Sequence, residues 1–250
     1  MVEIKGRFGS KTDIGLVRPS NEDKAISLID PQGNILLAVC DGMGGYMKGD
    51  FASKIAVDVL SAAFMSKVRF IFDWQVKRWI AKMIKTINFS VFSEANDSEK
   101  FKGMGTTLVL AVLFKKKIFI ANVGDSRAYR VGEKELEQLS KDQTYVDYLY
   151  NRGEIKEEEK KTLPERHVLM NAIGIKKVVN YKLDVFANNK QTIMLCSDGL
   201  YNNASDKEIF SALSSEERVD QKVNTLIGIA KTHGGTDNIA ISLWEPYKND

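Results

Sequence analysis

The sequence predicts an α+β fold of four layers, α/β/β/α, in which two antiparallel β-sheets are flanked by helix pairs. Three observations carry this expectation. The apolar runs in the middle of the chain are short and separated by brief turns, as in hairpins. Helical periodicity comes in pairs, one pair before the central runs and one near the end, and does not alternate strictly with strands as a parallel βαβ sheet requires. Each sheet of such a stack has one face to pack on the other sheet and one to cover with helices.

In chain order, Ile35–Cys40 is a continuous apolar run that suits a strand buried on both faces. Phe51–Met65 follows with Ile55, Val59, Leu60 and Phe64 near one helical face, and Trp74–Ala95 repeats the pattern through Val76, Ile80, Met83, Ile84, Ile87 and Val91. Trp79 and Met83 read as core. Thr107–Phe114 and Ile118–Val123 flank the Lys115-Lys116-Lys117 turn as a hairpin, and Ala128–Val131, Gln191–Cys196 and Ile239–Leu243 complete the expected strands. Helices are expected over Asp206–Leu213 and Val219–Thr232. The segment 141–166 is rich in Glu and Lys and poor in apolar residues, so it reads as a partly helical, exposed and mobile excursion.

No repeat, low-complexity linker or composition shift divides the 250 residues, which suit a single domain over 1–250. A net charge of +3 with short basic runs argues against nucleic-acid binding. The longest apolar run is far too short to span a bilayer, and the first residues carry no apolar signal segment. Two cysteines, Cys40 and Cys196, each end an apolar run and read as buried small hydrophobes, so a reduced, cytoplasmic protein is expected.

The chemistry lies in the aspartates. Three apolar strands run into a small residue and an Asp: Cys40-Asp41-Gly42, Gly124-Asp125-Ser126 and Ser197-Asp198-Gly199. A fourth, Asp237 in Gly235-Thr236-Asp237-Asn238, precedes the last strand. Any one Asp-Gly pair is an ordinary turn signal, but four carboxylates abutting buried strands are costly unless paired or bound to cations. With only His167 and His233 in the chain, zinc is disfavoured and all-oxygen donors favour Mg²⁺ or Mn²⁺. Two such ions bridged by a carboxylate and a hydroxide are suited to phosphate hydrolysis. Ser126 and Ser197 lack the His and Asp pattern of a serine hydrolase. Neither cysteine opens a Cys-x5-Arg loop, since Tyr46 and Asn202 stand where the cation would be. His167 reads as a surface or structural residue rather than a general acid, and His233 as a helix C-terminal cap.

At this point the residues resemble a family. Thr12–Asp23, Val39–Gly45, Gly103–Thr107, Ala121–Arg127, Cys196–Leu200 and Gly235–Asn238 follow, in order, the motifs of metal-dependent serine/threonine protein phosphatases of type 2C, across about residues 8–244. Met43 after Asp41-Gly42 is similar to the bacterial branch. The resemblance implies that Asp41 bridges two metals, that the Gly42 carbonyl completes one shell, and that Asp198 and Asp237 hold the other ion. It implies that Arg18 clamps the substrate phosphate, that Glu22 and Asp23 act through water, and that Asp125 with Asp198 takes a third ion. It makes 141–166 a flap beside the active site. The implied activity is hydrolysis of phosphoserine and phosphothreonine in proteins by a water bridging two divalent ions, opposing a serine/threonine kinase in bacterial signalling, by a monomer. A non-catalytic receptor with the same fold would be expected to have lost these ligands, and all are present.

Overall fold

The computed structural model describes residues 4–45, 48–66 and 69–247. Strands β1 (Gly6–Asp13), β2 (Lys24–Ile29), β3 (Ile35–Cys40) and β4 (Gly42–Met43) precede two long helices, α1 (Lys48–Met65) and α2 (Asp73–Asp97). Then come β5 (Gly105–Thr106), β6 (Leu108–Phe114), β7 (Lys117–Val123), β8 (Arg127–Val131) and β9 (Leu136–Gln138). Helix α3 (Tyr145–Asn151) leads to two 3₁₀ turns, and β10 (Lys182–Ala187), β11 (Ile193–Cys196), α4 (Asp198–Tyr201), α5 (Asp206–Ser214), α6 (Val219–Thr232) and β12 (Ile239–Pro246) finish the chain.

Two five-stranded antiparallel sheets form, in the orders β1-β12-β11-β8-β9 and β10-β7-β6-β3-β2, with β4 and β5 as a separate short ladder. The layering follows from side-chain alternation along each strand. In β3, Leu36, Ala38 and Cys40 pack with α1 and α2, while Ile35, Leu37 and Val39 face the other sheet. In β11, Met194 and Cys196 pack under α4, α5 and α6, while Ile193 and Leu195 join Trp244 between the sheets. The α+β, four-layer expectation is therefore met, and both cysteines are buried thiols.

The six inner strands match the sequence reading within a residue or two, except that β12 runs on to Pro246. Leu108, not Thr107, begins β6, and Lys117 is the first residue of β7, so the turn pivots on Lys115 with its φ of 54°. Helix α1 starts three residues early, at Lys48, α2 spans Asp73–Asp97, α5 ends at Ser214, and α6 matches. Trp79 and Met83 are buried as expected. Six strands had no signal in the apolar pattern: β1, β2, β9 and β10, which are the edges of the two large sheets, and the two-residue β4 and β5. The excursion is helical at α3 and ends in 3₁₀ turns, with most of its side chains exposed. Among the described residues no helix is long and apolar enough to cross a membrane.

Candidate metal centre

Antiparallel pairing brings the acidic strand ends to one end of the sandwich. The ends of β3, β7 and β11 and the start of β12 carry Asp41, Asp125, Asp198 and Asp237, respectively. The β3–β6 register sets Thr107 against Asp41. The Asp41 N–H donates to Thr107 Oγ1 at 2.9 Å, and its carbonyl accepts from Thr107 N at 2.8 Å and Thr106 Oγ1 at 2.9 Å. Thr107 Oγ1 also bonds Ser126 Oγ at 2.7 Å, next to Asp125. The backbone of Asp41 is thus fixed on three sides before any ligand arrives.

Glycines let three segments converge beside it. A Cβ on Gly42 would lie 2.2 Å from the Gly49 carbonyl oxygen and 2.6 Å from that of Glu22. One on Gly49 would lie 2.3 Å from Glu22 Oε2, which places the Glu22 carboxylate against the start of α1.

The carboxylates then face one another. Burial raises Asp41 well above the usual carboxylate range, and Asp23, Asp198, Asp125 and Asp237 raise it further. Burial pushes Asp23 up to about 8, against the opposing effect of a hydrogen bond from Ser197 Oγ at 2.6 Å. Asp125, only 6% exposed, is pushed up to about 7 by burial and by Asp198. Asp198 is pushed up to about 6 by burial and Asp237, with Arg18 and the neighbouring Asp41 side chain acting in the opposite direction.

Arg18 is the cation at the rim. Its Nη2 donates to Asp237 Oδ2 at 2.7 Å, and its side chain remains 54% exposed. The hydrogen bond to Asp237 strengthens its charged form, with Asp198 and Asp41 adding to the effect. The loop that carries it is pinned by Asn238, whose side chain accepts from Glu22 N at 2.8 Å and donates to the Ile14 and Ser20 carbonyls at 2.9 Å each. On the far side, Arg127 binds Asp142 through Nε and Nη2 at 2.9 and 2.7 Å and lies 3.6 Å over the Tyr201 ring. Tyr201 in turn donates to the Asp125 carbonyl at 3.2 Å.

All the expected acidic residues therefore gather at one end, with Arg18 beside them. Among the described residues, no three His, Cys, Asp or Glu side chains already stand as a preformed cation cage. Two of them have partners of other kinds: Asp237 pairs with Arg18, and Asp23 accepts from Ser197. The donor set still fits hard divalent ions. It is all oxygen and buried, and its members raise one another's pKa, a repulsion that divalent cations would relieve.

The ends of the excursion are tied together next to this cluster. Tyr145 N donates to the Val168 carbonyl at 2.8 Å and Met170 N to that of Gln143 at 2.9 Å, while Gln143 Oε1 accepts from Gly124 N at 3.1 Å. His167 follows, half-exposed, with Nδ1 4.0 Å from Asp198 Oδ2. Burial holds it below the ordinary histidine value. His233 caps α6 through its backbone N–H, and its ring reaches the Asn203 carbonyl at 2.8 Å.

The sequence reading gave no role to Thr106, Thr107, Ser126, Ser197 or Asn238 in holding the site. Each lies inside one of the quoted motifs, which was the only available signal. Ser126 and Ser197, which lack a serine-hydrolase pattern, are buried hydrogen-bond partners.

Comparison with known proteins gives a consistent result. The model of the family described as protein phosphatase 2C matches residues 18–239. The serine/threonine phosphatase stp of Listeria welshimeri is 35% identical over 238 residues, covering 94% of each chain. The crystal structure of serine/threonine phosphatase Stp1 from Staphylococcus aureus superimposes with a TM-score of 0.92 at 33% identity, covering 99% of this chain and 98% of that one. The catalytic domain of the serine/threonine protein phosphatase PstP, in complex with two manganese ions, superimposes with a TM-score of 0.82 at 28% identity over 96% and 97% of the two chains.

Proposed function

The chain belongs to the protein phosphatase 2C family and is a bacterial-type, metal-dependent serine/threonine protein phosphatase, and from that premise we propose how its residues divide the work. Asp41, the Gly42 carbonyl, Asp198 and Asp237 would hold two divalent ions, Mn²⁺ or Mg²⁺, with Asp41 serving both, and Asp125 together with Asp198 would hold a third. The two manganese ions in the PstP complex support the count of two. When bound, the ions supply the Lewis acidity that activates water and the positive charge that offsets the carboxylates.

The chain's own residues do the rest. Arg18 grips the substrate phosphate. One edge of its guanidinium rests on Asp237, and its exposure leaves further N–H groups for phosphate oxygens. Asp237 fixes the direction of that fork, and Asn238 fixes the loop behind it. Glu22 and Asp23 act through water, with Asp23 oriented by Ser197. Thr106 and Thr107 keep Asp41 from drifting toward its neighbours. The segment 141–166 is a flap at the rim of the site, within a single catalytic domain over 1–250.

Substrates are phosphorylated proteins, and the enzyme opposes a serine/threonine kinase from the cytoplasm, as a monomer without nucleic acid. A net charge of +3 supports the last point. The observation that carries the reading is the gathering of Asp41, Asp198, Asp125 and Asp23, buried carboxylates that push one another's pKa up, with Arg18 on Asp237 at their edge. The test is hydrolysis of a phosphothreonine peptide after chelation and after return of Mn²⁺ or Mg²⁺. Activity is expected only with metal, and turnover in chelator would overturn the assignment.

A further inference from the structure

At the end of the sandwich opposite the aspartates, the α1–α2 connection meets the β6–β7 hairpin. Strand β6 runs between the two ends, and its seven residues separate them by roughly 20 Å. Here Ile71, Phe72 and Trp74 are 44%, 57% and 57% exposed. Around them stand Lys77, Lys115, Lys116 and Lys117, all exposed. These residues line one shallow surface with two adjoining depressions, in which the one acidic side chain among the described residues is Asp73. Four ammonium groups therefore face one carboxylate, and that carboxylate is already paired with Lys117.

The backbone under this patch is already satisfied. Ile71 N and Phe72 N both donate to Gln75 Oε1, at 2.6 and 2.9 Å, and the Ile71 carbonyl accepts from Lys115 Nζ at 2.7 Å. The turn thus offers a partner no main-chain donors or acceptors at these atoms. What it presents is apolar side chains and ammonium groups, and Lys77 and Lys116 have no ion-pair partner among the described residues. A peptide strand would need backbone pairing to be held in register. A bilayer interface needs none: it takes Trp and Phe at headgroup depth, lysines against anionic headgroups, and no unpaired main-chain groups.

We propose that this end of the molecule docks on the surface of an anionic lipid bilayer, seating Phe72 and Trp74 among the headgroups and the lysines against lipid phosphates. The contact is peripheral. It turns the acidic end, which an anionic surface repels, toward the aqueous side, where phosphoprotein substrates reach it. The docking goes beyond the hydrolytic activity and does not depend on it.

Trp74 supplies its own reporter, because Trp79 and Trp244 are 8% and 1% exposed. The full chain is mixed with vesicles of phosphatidylglycerol and phosphatidylcholine, or of phosphatidylcholine alone. On the anionic vesicles, tryptophan emission is expected to shift to shorter wavelength and to be quenched by brominated lipid. Both effects should be lost in Trp74→Phe and weakened by raising salt from about 0.1 to about 0.5 M. Lys77→Gln/Lys116→Gln removes two ammonium groups without breaking an ion pair among the described residues. It is expected to lower partitioning about 25-fold, about fivefold for each lysine, with turnover on a soluble phosphopeptide unchanged. Four results would overturn the proposal: no partitioning onto anionic vesicles, equal partitioning onto neutral ones, partitioning unaffected by the double substitution, or binding to polyglutamate in place of vesicles.

Discussion

Asn238→Ala tests whether the loop that carries Arg18 is held as the structure indicates. Asn238 is 6% exposed, and its side chain makes three hydrogen bonds of 2.8, 2.9 and 2.9 Å to the 14–22 segment. Truncation deletes all three and leaves one N–H and two carbonyls without this partner. At about 1 kcal/mol each the loss is about 3 kcal/mol, reduced toward about 2 if water reaches the loop. Urea unfolding in chelator measures this without interference from bound ions. The same loop carries Arg18, so ordering that the free protein no longer supplies must be supplied on substrate binding. An upper bound is the same free energy, or about 30- to 150-fold in kcat/KM for a phosphothreonine peptide at saturating Mn²⁺. Arg18→Ala should then cost less in the Asn238→Ala background than in wild type, because a loosened loop positions the guanidinium poorly. A stability change within about 0.5 kcal/mol, or an Arg18→Ala effect equal in both backgrounds, would refute the reasoning.

Further predictions concern the carboxylates and one buried ion pair. In the metal-free protein Asp198, Asp125 and Asp23 titrate near 6, 7 and 8, above their unfolded values. The folded state therefore holds more protons, and thermal stability in chelator should fall as pH rises from about 4 through these values; a flat or rising profile would contradict the cluster. Asp41→Asn removes the carboxylate that four others oppose, so its chelated form should melt at or above the wild-type temperature, while stabilisation by Mn²⁺ and turnover disappear. Wild-type turnover in Asp41→Asn would exclude the bridging role. Lys222 is 1% exposed and bonds Glu245 at 2.6 Å and the Leu213 carbonyl at 2.8 Å. Glu245→Ala leaves that ammonium half-satisfied and should cost about 3–5 kcal/mol, while Lys222→Met should cost clearly less; the reverse order in urea unfolding would be incompatible with a buried charge.

What the sequence revealed divides along the sheets. Inner strands are buried on both faces, so β3, β6, β7 and β11 are continuous apolar runs that local pattern exposes. Edge strands have one ladder and mixed exposure. In β1, Gly-Arg-Phe-Gly-Ser-Lys-Thr-Asp has no usable alternation, and its pairing with β12, far away in the sequence, is what makes it a strand. The site divides in a similar way. Carboxylates at strand ends are visible because buried charge is abnormal in any context. The hydroxyl and amide groups of Thr107, Ser197 and Asn238 are not, because Thr, Ser and Asn are ordinary in turns, and only the tertiary register shows that they hold Asp41, Asp23 and the Arg18 loop.

The acidic cluster and the fold therefore work against each other until cations arrive. The inter-sheet layer around Leu37, Val39, Leu195 and Trp244 is a buried apolar cluster, and it fixes where β3 and β11 end. That rigidity denies Asp41 and Asp198 the option of swinging apart into water, so both are pushed toward holding protons. A proton neutralises one carboxylate, whereas a divalent ion can satisfy several at once. Protons and metal would thus compete for the same oxygens, and the cation's advantage would grow with pH as protons become harder to retain. Repulsion among carboxylates held in place by an apolar core is enough to favour a bound cation, without conformational strain. The same logic separates Arg18 from the cluster. Its guanidinium pairs directly with Asp237, acts on Asp198 and Asp41 only through space, and stays half in solvent, so it offsets part of the charge while keeping an exposed edge.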